Sequence, residues 1–71
     1  MERISVASSN LKSVGYDEEN EKLEIEFLTG TVYQYLNVPK SKHEGLMKAA
    51  SKGRYFDTFI KKFGHTFRRI R

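Results

Sequence analysis

The tripeptide Lys52-Gly53-Arg54 has residue types suited to binding phosphate. Gly53 lets a ligand approach the backbone closely, and its two neighbours add full positive charges. The tripeptide falls between two predicted helices, and the free N–H groups at a helix N-terminus attract anions. A plain helix junction, in which the glycine serves only as a C-cap, accounts for the same residues without any ligand.

Charge is divided unevenly along the 71 residues. Up to Val38 there are three basic and seven acidic residues, whereas from Pro39 onward there are ten basic and two acidic residues. Such asymmetry indicates a polyanionic partner, and a solvated helical face is the alternative explanation. The predicted nucleic-acid-binding residues lie in the basic half: Lys52, Gly53, Arg54, Lys61, Lys62, Arg68 and Arg69.

Tyr33 and Tyr35 are two residues apart, so on a strand both rings lie on the same face of the sheet. If that face is open, the rings can stack on nucleic-acid bases, which contributes about 1–3 kcal/mol per base. If it is covered, the rings belong to the core and keep their hydroxyls at its rim. The turn that precedes the two tyrosines distinguishes these alternatives.

A three-residue loop over Leu28-Thr29-Gly30, with Gly30 in the left-handed conformation, favours the buried alternative. It places Gln34 beside Glu24 on a solvated face and both tyrosines on the apolar face. A two-residue turn would shift the strand by one residue and exchange the faces. We prefer the longer loop because it places polar side chains beside polar side chains on the same face. Its register pairs Phe27 with Thr31, Ile25 with Tyr33, and Leu23 with Tyr35.

Three segments have the pattern of β-strands, namely residues 11–16, 22–28 and 32–38. The second is the clearest, because apolar residues alternate with glutamates. Residues 1–7 are predicted to be a lead-in to the first strand. The outer edge of the strand over residues 11–16 is expected to be unpaired, so it is a surface for a protein partner or for a weak dimer.

Helical periodicity begins after Pro39, a residue that suits the first turn of a helix. Ser41 and Glu44 have the spacing of a capping box. Gly53 is expected to end the first helix, and a second helix is expected over residues 54–63, followed by a basic tail over residues 65–71. The predicted apolar stripes are His43, Leu46, Met47 and Ala50 on the first helix, and Phe56, Phe59, Ile60 and Phe63 on the second.

These elements predict one α+β domain over residues 1–71, a three-stranded antiparallel meander followed by two helices packed on one face. Cysteine is absent, which suits the cytoplasm, and no apolar run approaches the roughly 18 residues of a membrane span. His43 and His65 fall in different elements, so we expect no metal site and no cofactor. Ser51 is a possible nucleophile, but no general base and orienting group stand at a spacing typical of a catalytic site, so we expect no enzymatic activity.

The chain resembles the KTSC domain, a short module named for its presence at the C-terminus of some lysyl-tRNA synthetases. The resemblance implies no established activity, and it suggests RNA binding, with Tyr33 and Tyr35 as the family's marked positions. One departure is Asp57, where the resemblance predicts asparagine. The residues that carry it are Ser8-Ser9-Asn10-Leu11, Val14-Gly15-Tyr16-Asp17, Leu23-Glu24-Ile25-Glu26-Phe27, Gly30, Tyr33-Gln34-Tyr35, Val38-Pro39, Ala50-Ser51-Lys52-Gly53-Arg54-Tyr55-Phe56 and Ile60.

The leading hypothesis is a small, non-catalytic cytoplasmic domain that binds RNA, such as tRNA, through a basic helical face. The alternative is a protein–protein interaction module, either an accessory domain or a phage host-factor-binding protein, that uses the exposed sheet face or the edge strand. The rings of Tyr33 and Tyr35 are structural under the preferred register and stacking groups under the other.

Overall fold

The computed structural model describes residues 1–71 and contains five strands, two α-helices and a π-helical turn. In chain order the elements are β1 (Arg3–Ser5), β2 (Leu11–Asp17), β3 (Lys22–Phe27), β4 (Val32–Tyr35), α1 (Lys40–Lys48), α2 (Lys52–Phe56), the π-helical turn (Asp57–Lys61) and β5 (Phe67–Arg69). Neither helix has the length and apolar composition that a membrane crossing requires.

All five strands form one antiparallel sheet in which neighbours in sequence are neighbours in space. The meander β2–β3–β4 confirms the predicted central strands, but a three-stranded sheet was wrong because β1 and β5 extend it on both sides. These two strands lie within the predicted lead-in and the predicted basic tail. Each has only three residues and largely exposed side chains, so neither shows the alternation that marks a half-buried strand.

The loop between β3 and β4 has the predicted three-residue form. Gly30 has a φ of 94°, which is the left-handed conformation that glycine adopts without strain. The backbone N–H of Phe27 donates to the carbonyl of Thr31 at 2.9 Å and closes the loop. The predicted register is confirmed: Leu23 lies opposite Tyr35, Glu24 opposite Gln34, and Ile25 opposite Tyr33.

Both helices pack on one face of the sheet, as predicted, and the core lies between them and strands β2 to β4. Burying this apolar surface is the main stabilising contribution to the fold. The buried core residues are Leu11, Val14, Leu23, Ile25, Tyr35, Val38, Leu46, Phe56 and Ile60.

Helix α1 ends earlier than predicted, and its N-terminus differs from the prediction. Pro39 is its N-cap and not a first-turn residue, so Ser41 lies inside the helix and no side chain caps it as the capping box required. Ala49 is extended (ψ 139°) and ends the helix, which leaves Ala50 exposed. Ser51 caps α2 through a hydrogen bond from the N–H of Arg54 at 3.4 Å.

The second helix changes geometry at Asp57. From there the chain forms one π-helical turn, in which the N–H of Lys62 donates to the carbonyl of Asp57 at 2.9 Å. This wider turn keeps Ile60 in the core but rotates Phe59 and Phe63 outward, and they are 46% and 67% exposed. The predicted stripe was therefore wrong at these two residues.

The sheet face away from the helices is polar but not solvated, contrary to the prediction. Glu24 is 5% exposed and Gln34 is 9% exposed, because both ends of the chain fold over them. Arg3 forms an ion pair with Glu24, and Arg71 donates to Glu26 at 2.8 Å. The expected free edge of β2 is also wrong, since β1 pairs along it.

Candidate nucleic-acid interface

A groove with mainly aromatic walls lies between the sheet and the second helix, and we call it the aromatic groove. Its volume is about 230 Å³. Beside the β3–β4 loop it adjoins a shallower depression of about 380 Å³, with which it shares Asn10, Phe27 and Tyr33. The residues that line the aromatic groove are Asn10, Phe27, Tyr33, Tyr35, Phe56, Asp57, Lys61 and Phe67.

The alternation of β4 places both of its tyrosines on the groove side of the sheet, as predicted. Phe67 of β5 lies opposite Tyr35 and shares that face. The rings of Tyr33 and Phe67 are perpendicular, with centroids 5.5 Å apart. Tyr35 packs edge-on against Phe56 at 5.3 Å. Such edge-to-face contacts hold the walls of the groove in fixed orientations.

The two tyrosines have different roles, although the preferred register assigned both to the core. Tyr35 is 4% exposed and lies within the core cluster, whereas Tyr33 is half-buried on the wall of the groove. Burial, followed by the neighbouring Tyr33, raises the pKa of Tyr35 to about 12. Its hydroxyl is therefore a neutral O–H at physiological pH.

Neither Tyr33 nor Tyr35 uses its hydroxyl in a hydrogen bond within the chain. The hydroxyl of Tyr16, by contrast, donates to the carbonyl of Val38 at 2.6 Å. The hydroxyl of Tyr35 is not a buried unpaired atom, so it reaches the surface, where solvent or a ligand can accept a hydrogen bond from it. Tyr35 therefore offers an unused donor to the groove.

The π-helical turn supplies the charged groups of the groove. Asp57 and Lys61 are its first and last residues, and both line the cavity. The Oδ2 atom of Asp57 forms an ion pair with the ammonium group of Lys62 at 3.2 Å. Lys62 is largely exposed and Asp57 is partly exposed, so the pair is weak and leaves the carboxylate available. Single π-helical turns are frequent at functional sites.

Asn10 is a groove residue that the sequence did not single out. Its backbone carbonyl accepts from the N–H of Leu28 at 3.0 Å, which fixes it beside the β3–β4 loop. Its side chain packs against Gly53, where any Cβ would overlap Oδ1. Gly53 is therefore needed for the close approach of the Asn10 side chain. It is not the predicted C-cap of the first helix, since it lies inside α2.

The predicted cations of the helical region do not form one surface. Lys61 lines the aromatic groove, and Lys62 is paired with Asp57. The ammonium group of Lys52 donates to the carbonyl of Ala49 at 3.2 Å and so closes the helix junction. Arg54 is exposed at a separate depression beside Tyr55 and Phe59, away from the groove.

The two predicted cations of β5 point to opposite sides of the sheet, because neighbouring residues of a strand alternate. Arg69 lies opposite Tyr33 and shares the groove side. Arg68 lies opposite Gln34 on the polar face. Of the predicted residues, Lys61 and Arg69 thus come together with the tyrosines, and the others are dispersed.

The structure defines the class of protein: a small α+β domain that has an aromatic groove beside a basic edge strand. The chain belongs to the KTSC domain family, whose model matches residues 7–63. This confirms the resemblance seen in the sequence. The matched range stops before β5, so the strand that carries Phe67 and Arg69 lies outside it.

Similar proteins have been found both as separate chains and within a larger enzyme. The structure of a KTSC domain protein from Yersinia pestis is similar, with a TM-score of 0.93 at 46% identity over 99% of this chain and 97% of that one. An uncharacterized protein of Stutzerimonas stutzeri is 40% identical over 99% of both chains. A lysine–tRNA ligase of Nostoc punctiforme is 45% identical over 75% of this chain, which corresponds to 9% of the ligase.

Proposed function

We propose that this KTSC domain is a non-catalytic RNA-binding module that holds a base of single-stranded RNA in the aromatic groove. The observation that carries the proposal is the position of Phe67 and Tyr33, two perpendicular rings 5.5 Å apart, in one cavity with Lys61. Proteins recognise unpaired RNA bases by stacking them on aromatic side chains and by contacting phosphates with cations.

Exposure of the aromatic wall supports this function. Phe67 is 56% exposed on a strand whose three residues are all exposed, although its ring contacts those of Tyr33 and Tyr35. An apolar ring kept in solvent beside a cavity is typical of a binding surface. Tyr33, which is half-buried behind Phe67, gives the same cavity a second ring face.

Cations near the groove fit the phosphates of the same strand. Lys61 lines the cavity, and Arg69 lies on the groove side of β5 opposite Tyr33. This replaces the predicted basic helical face by a smaller set that combines one residue of the π-helical turn with one residue of β5. The segment shared with a lysine–tRNA ligase, an enzyme whose name specifies tRNA, also supports an RNA partner.

The test is fluorescence anisotropy with a short labelled RNA, single-stranded or in a duplex, at rising salt concentration. We expect the single strand to bind more tightly. Phe67→Ala should weaken binding about tenfold, the loss of one stacked base. Lys61→Ala should weaken binding and lower the slope of log K against log salt by about 0.7, the value for one phosphate of a single strand.

Two variants serve as matched controls, because they remove the same groups elsewhere. Phe63→Ala deletes an aromatic ring that is 67% exposed but lies outside the groove, and Arg54→Ala deletes an exposed cation beside a different depression. Both should bind like the wild type. Equal losses in Phe67→Ala and Phe63→Ala, or the absence of binding at low salt, would contradict the proposal. A protein partner retained after nuclease treatment and at high salt would favour the interaction module instead.

A further inference from the structure

Polar residues interrupt the aromatic walls of the groove, and two of them, Asp57 and Tyr35, carry an acceptor and a donor that the chain leaves available. A few polar groups in an otherwise apolar site fix the orientation of its ligand and determine its specificity. If the groove holds a base, a ring face stacks on one plane of that base and the polar groups contact its edge.

Asp57 acts as an acceptor in the groove. An ionised carboxylate has two oxygens and no donor, and the weak pair with Lys62 engages only Oδ2. It therefore favours a base edge with two adjacent N–H groups, which both oxygens can accept. Guanine has this arrangement at N1–H and the N2 amino group. Uracil has one N–H between two carbonyls, so one of its carbonyls would face the carboxylate.

Tyr35 acts as a donor in the same groove. Its side chain is more than nine-tenths buried, lines the cavity and makes no hydrogen bond within the chain. A ligand that supplies an acceptor can take the hydrogen bond that this O–H otherwise donates to solvent. On the guanine edge, the carbonyl O6 stands next to N1–H, so this edge offers one acceptor for the Tyr35 donor and two N–H groups for the Asp57 carboxylate.

We propose that the aromatic groove selects guanine, with Asp57 accepting from N1–H and the N2 amino group and Tyr35 donating to O6. This inference rests on the proposed RNA-binding function and assigns the base that the groove takes. It gives Asp57 the role of a specificity residue, in contrast to Lys61, which would act on every sequence alike.

The test compares U-U-G-U-U with the same oligonucleotide carrying A, C or U at its centre. Wild-type protein should bind the guanine form about tenfold more tightly than the all-uracil form, as expected for one bidentate contact. Asp57→Asn should bring the two affinities to within about twofold without weakening the all-uracil form, because it removes only a negative charge. Tyr35→Phe should weaken the guanine form alone. Glu44→Gln, which removes an exposed carboxylate outside the groove, should keep the preference.

Equal binding of the four oligonucleotides by the wild type would overturn the assignment of guanine and leave the RNA-binding function standing. A preference that survives Asp57→Asn would also overturn it. Failure of all four to bind would overturn both proposals together. Displacement of a bound oligonucleotide from wild-type protein by GMP and by UMP checks the same preference without any substitution. GMP should act at the lower concentration, and equal displacement would contradict the assignment.

Discussion

The imidazole of His43 lies parallel to the ring of Tyr16, with centroids 4.5 Å apart and an interplanar angle of 9°. This stack fastens α1 to β2, and neither residue lines the aromatic groove. Burial lowers the pKa of His43 below its ordinary value of 6.5, against the opposing effect of Glu44. The folded protein therefore favours the neutral ring.

The stability of the protein should fall with pH through the ordinary pKa of histidine. Near pH 6.5 the unfolded chain takes up a proton at His43 that the folded chain accepts only at lower pH, so protonation favours unfolding in this window. Urea denaturation should show the free energy of unfolding declining as pH drops below about 6.5. His43→Phe keeps an aromatic ring in the stack and should reduce the decline.

His65 should contribute to the same pH dependence. Its pKa is lowered by burial first and by Lys42 second, so it contributes a slope of the same sign. The double variant His43→Phe/His65→Phe should therefore show less decline than either single variant. The same slope in wild type and double variant would show that the histidines do not cause the pH dependence.

Tyr16 and Tyr35 should respond differently to removal of the hydroxyl. Tyr16→Phe loses the 2.6 Å hydrogen bond to the carbonyl of Val38 and should destabilise the protein by about 1 kcal/mol. Tyr35→Phe removes a hydroxyl without a protein partner, so it should leave the free energy of unfolding unchanged or increase it. Chemical denaturation near pH 7 measures both. A larger loss in Tyr35→Phe than in Tyr16→Phe would contradict the structural assignment.

Arg3 should contribute to stability although its strand has only three residues. Its guanidinium pairs with the almost fully buried carboxylate of Glu24 and donates to the hydroxyl of Ser13 at 3.1 Å. Arg3→Ala leaves that carboxylate without its cation and should destabilise the protein by about 1–3 kcal/mol. Arg3→Ala/Glu24→Gln should recover part of the loss, because no charge is left unpaired. Arg54→Ala removes an exposed arginine and is the matched control, so it should change thermal stability little. An equal loss in Arg3→Ala and Arg54→Ala would contradict the role of the Arg3–Glu24 pair.

Gly45 should not tolerate alanine, even though it lies inside a helix. A glycine-to-alanine change in a helix interior normally stabilises by about 1 kcal/mol. In α1, however, a Cβ at Gly45 would overlap the hydroxyl of Tyr55 and lie 2.7 Å from its Cζ atom. We expect a net destabilisation of about 1–3 kcal/mol by overpacking. Gly45→Ala/Tyr55→Phe should regain part of it in thermal unfolding, and stabilisation by Gly45→Ala alone would contradict the close packing of α1 on α2.

Local signals were enough to predict the centre of this sheet. The glycine at position 30 and the pairing of Gln34 with Glu24 gave the register, because turn chemistry and cross-strand polarity agreed. The solvation of that polar face was predicted wrongly. It depends on Arg3 and Arg71, which reach Glu24 and Glu26 from opposite ends of the chain, and no local pattern encodes such a contact.

The site was harder to predict than the fold. The two tyrosines and Lys61 were singled out from residue type, but Asn10 and Phe67 reach the groove only through tertiary structure. The π-helical turn has no sequence signature either, so an ordinary helical repeat placed Phe59 and Phe63 in the core. Charge counting showed that the second half of the chain is basic. It did not reveal that Arg68 and Arg69 lie on opposite faces.

The attachment of β5 has a consequence for how the groove works. This strand borders the sheet on one side only, and its side chains are exposed, so it should open locally more readily than the central strands. Because Phe67 forms one wall, each opening removes part of the site. A ligand that binds only the closed form must then slow hydrogen exchange in β5, and any change that loosens this strand must weaken binding in proportion to the closed fraction that is lost. Occupancy of the groove and order of the C-terminal strand are thermodynamically linked.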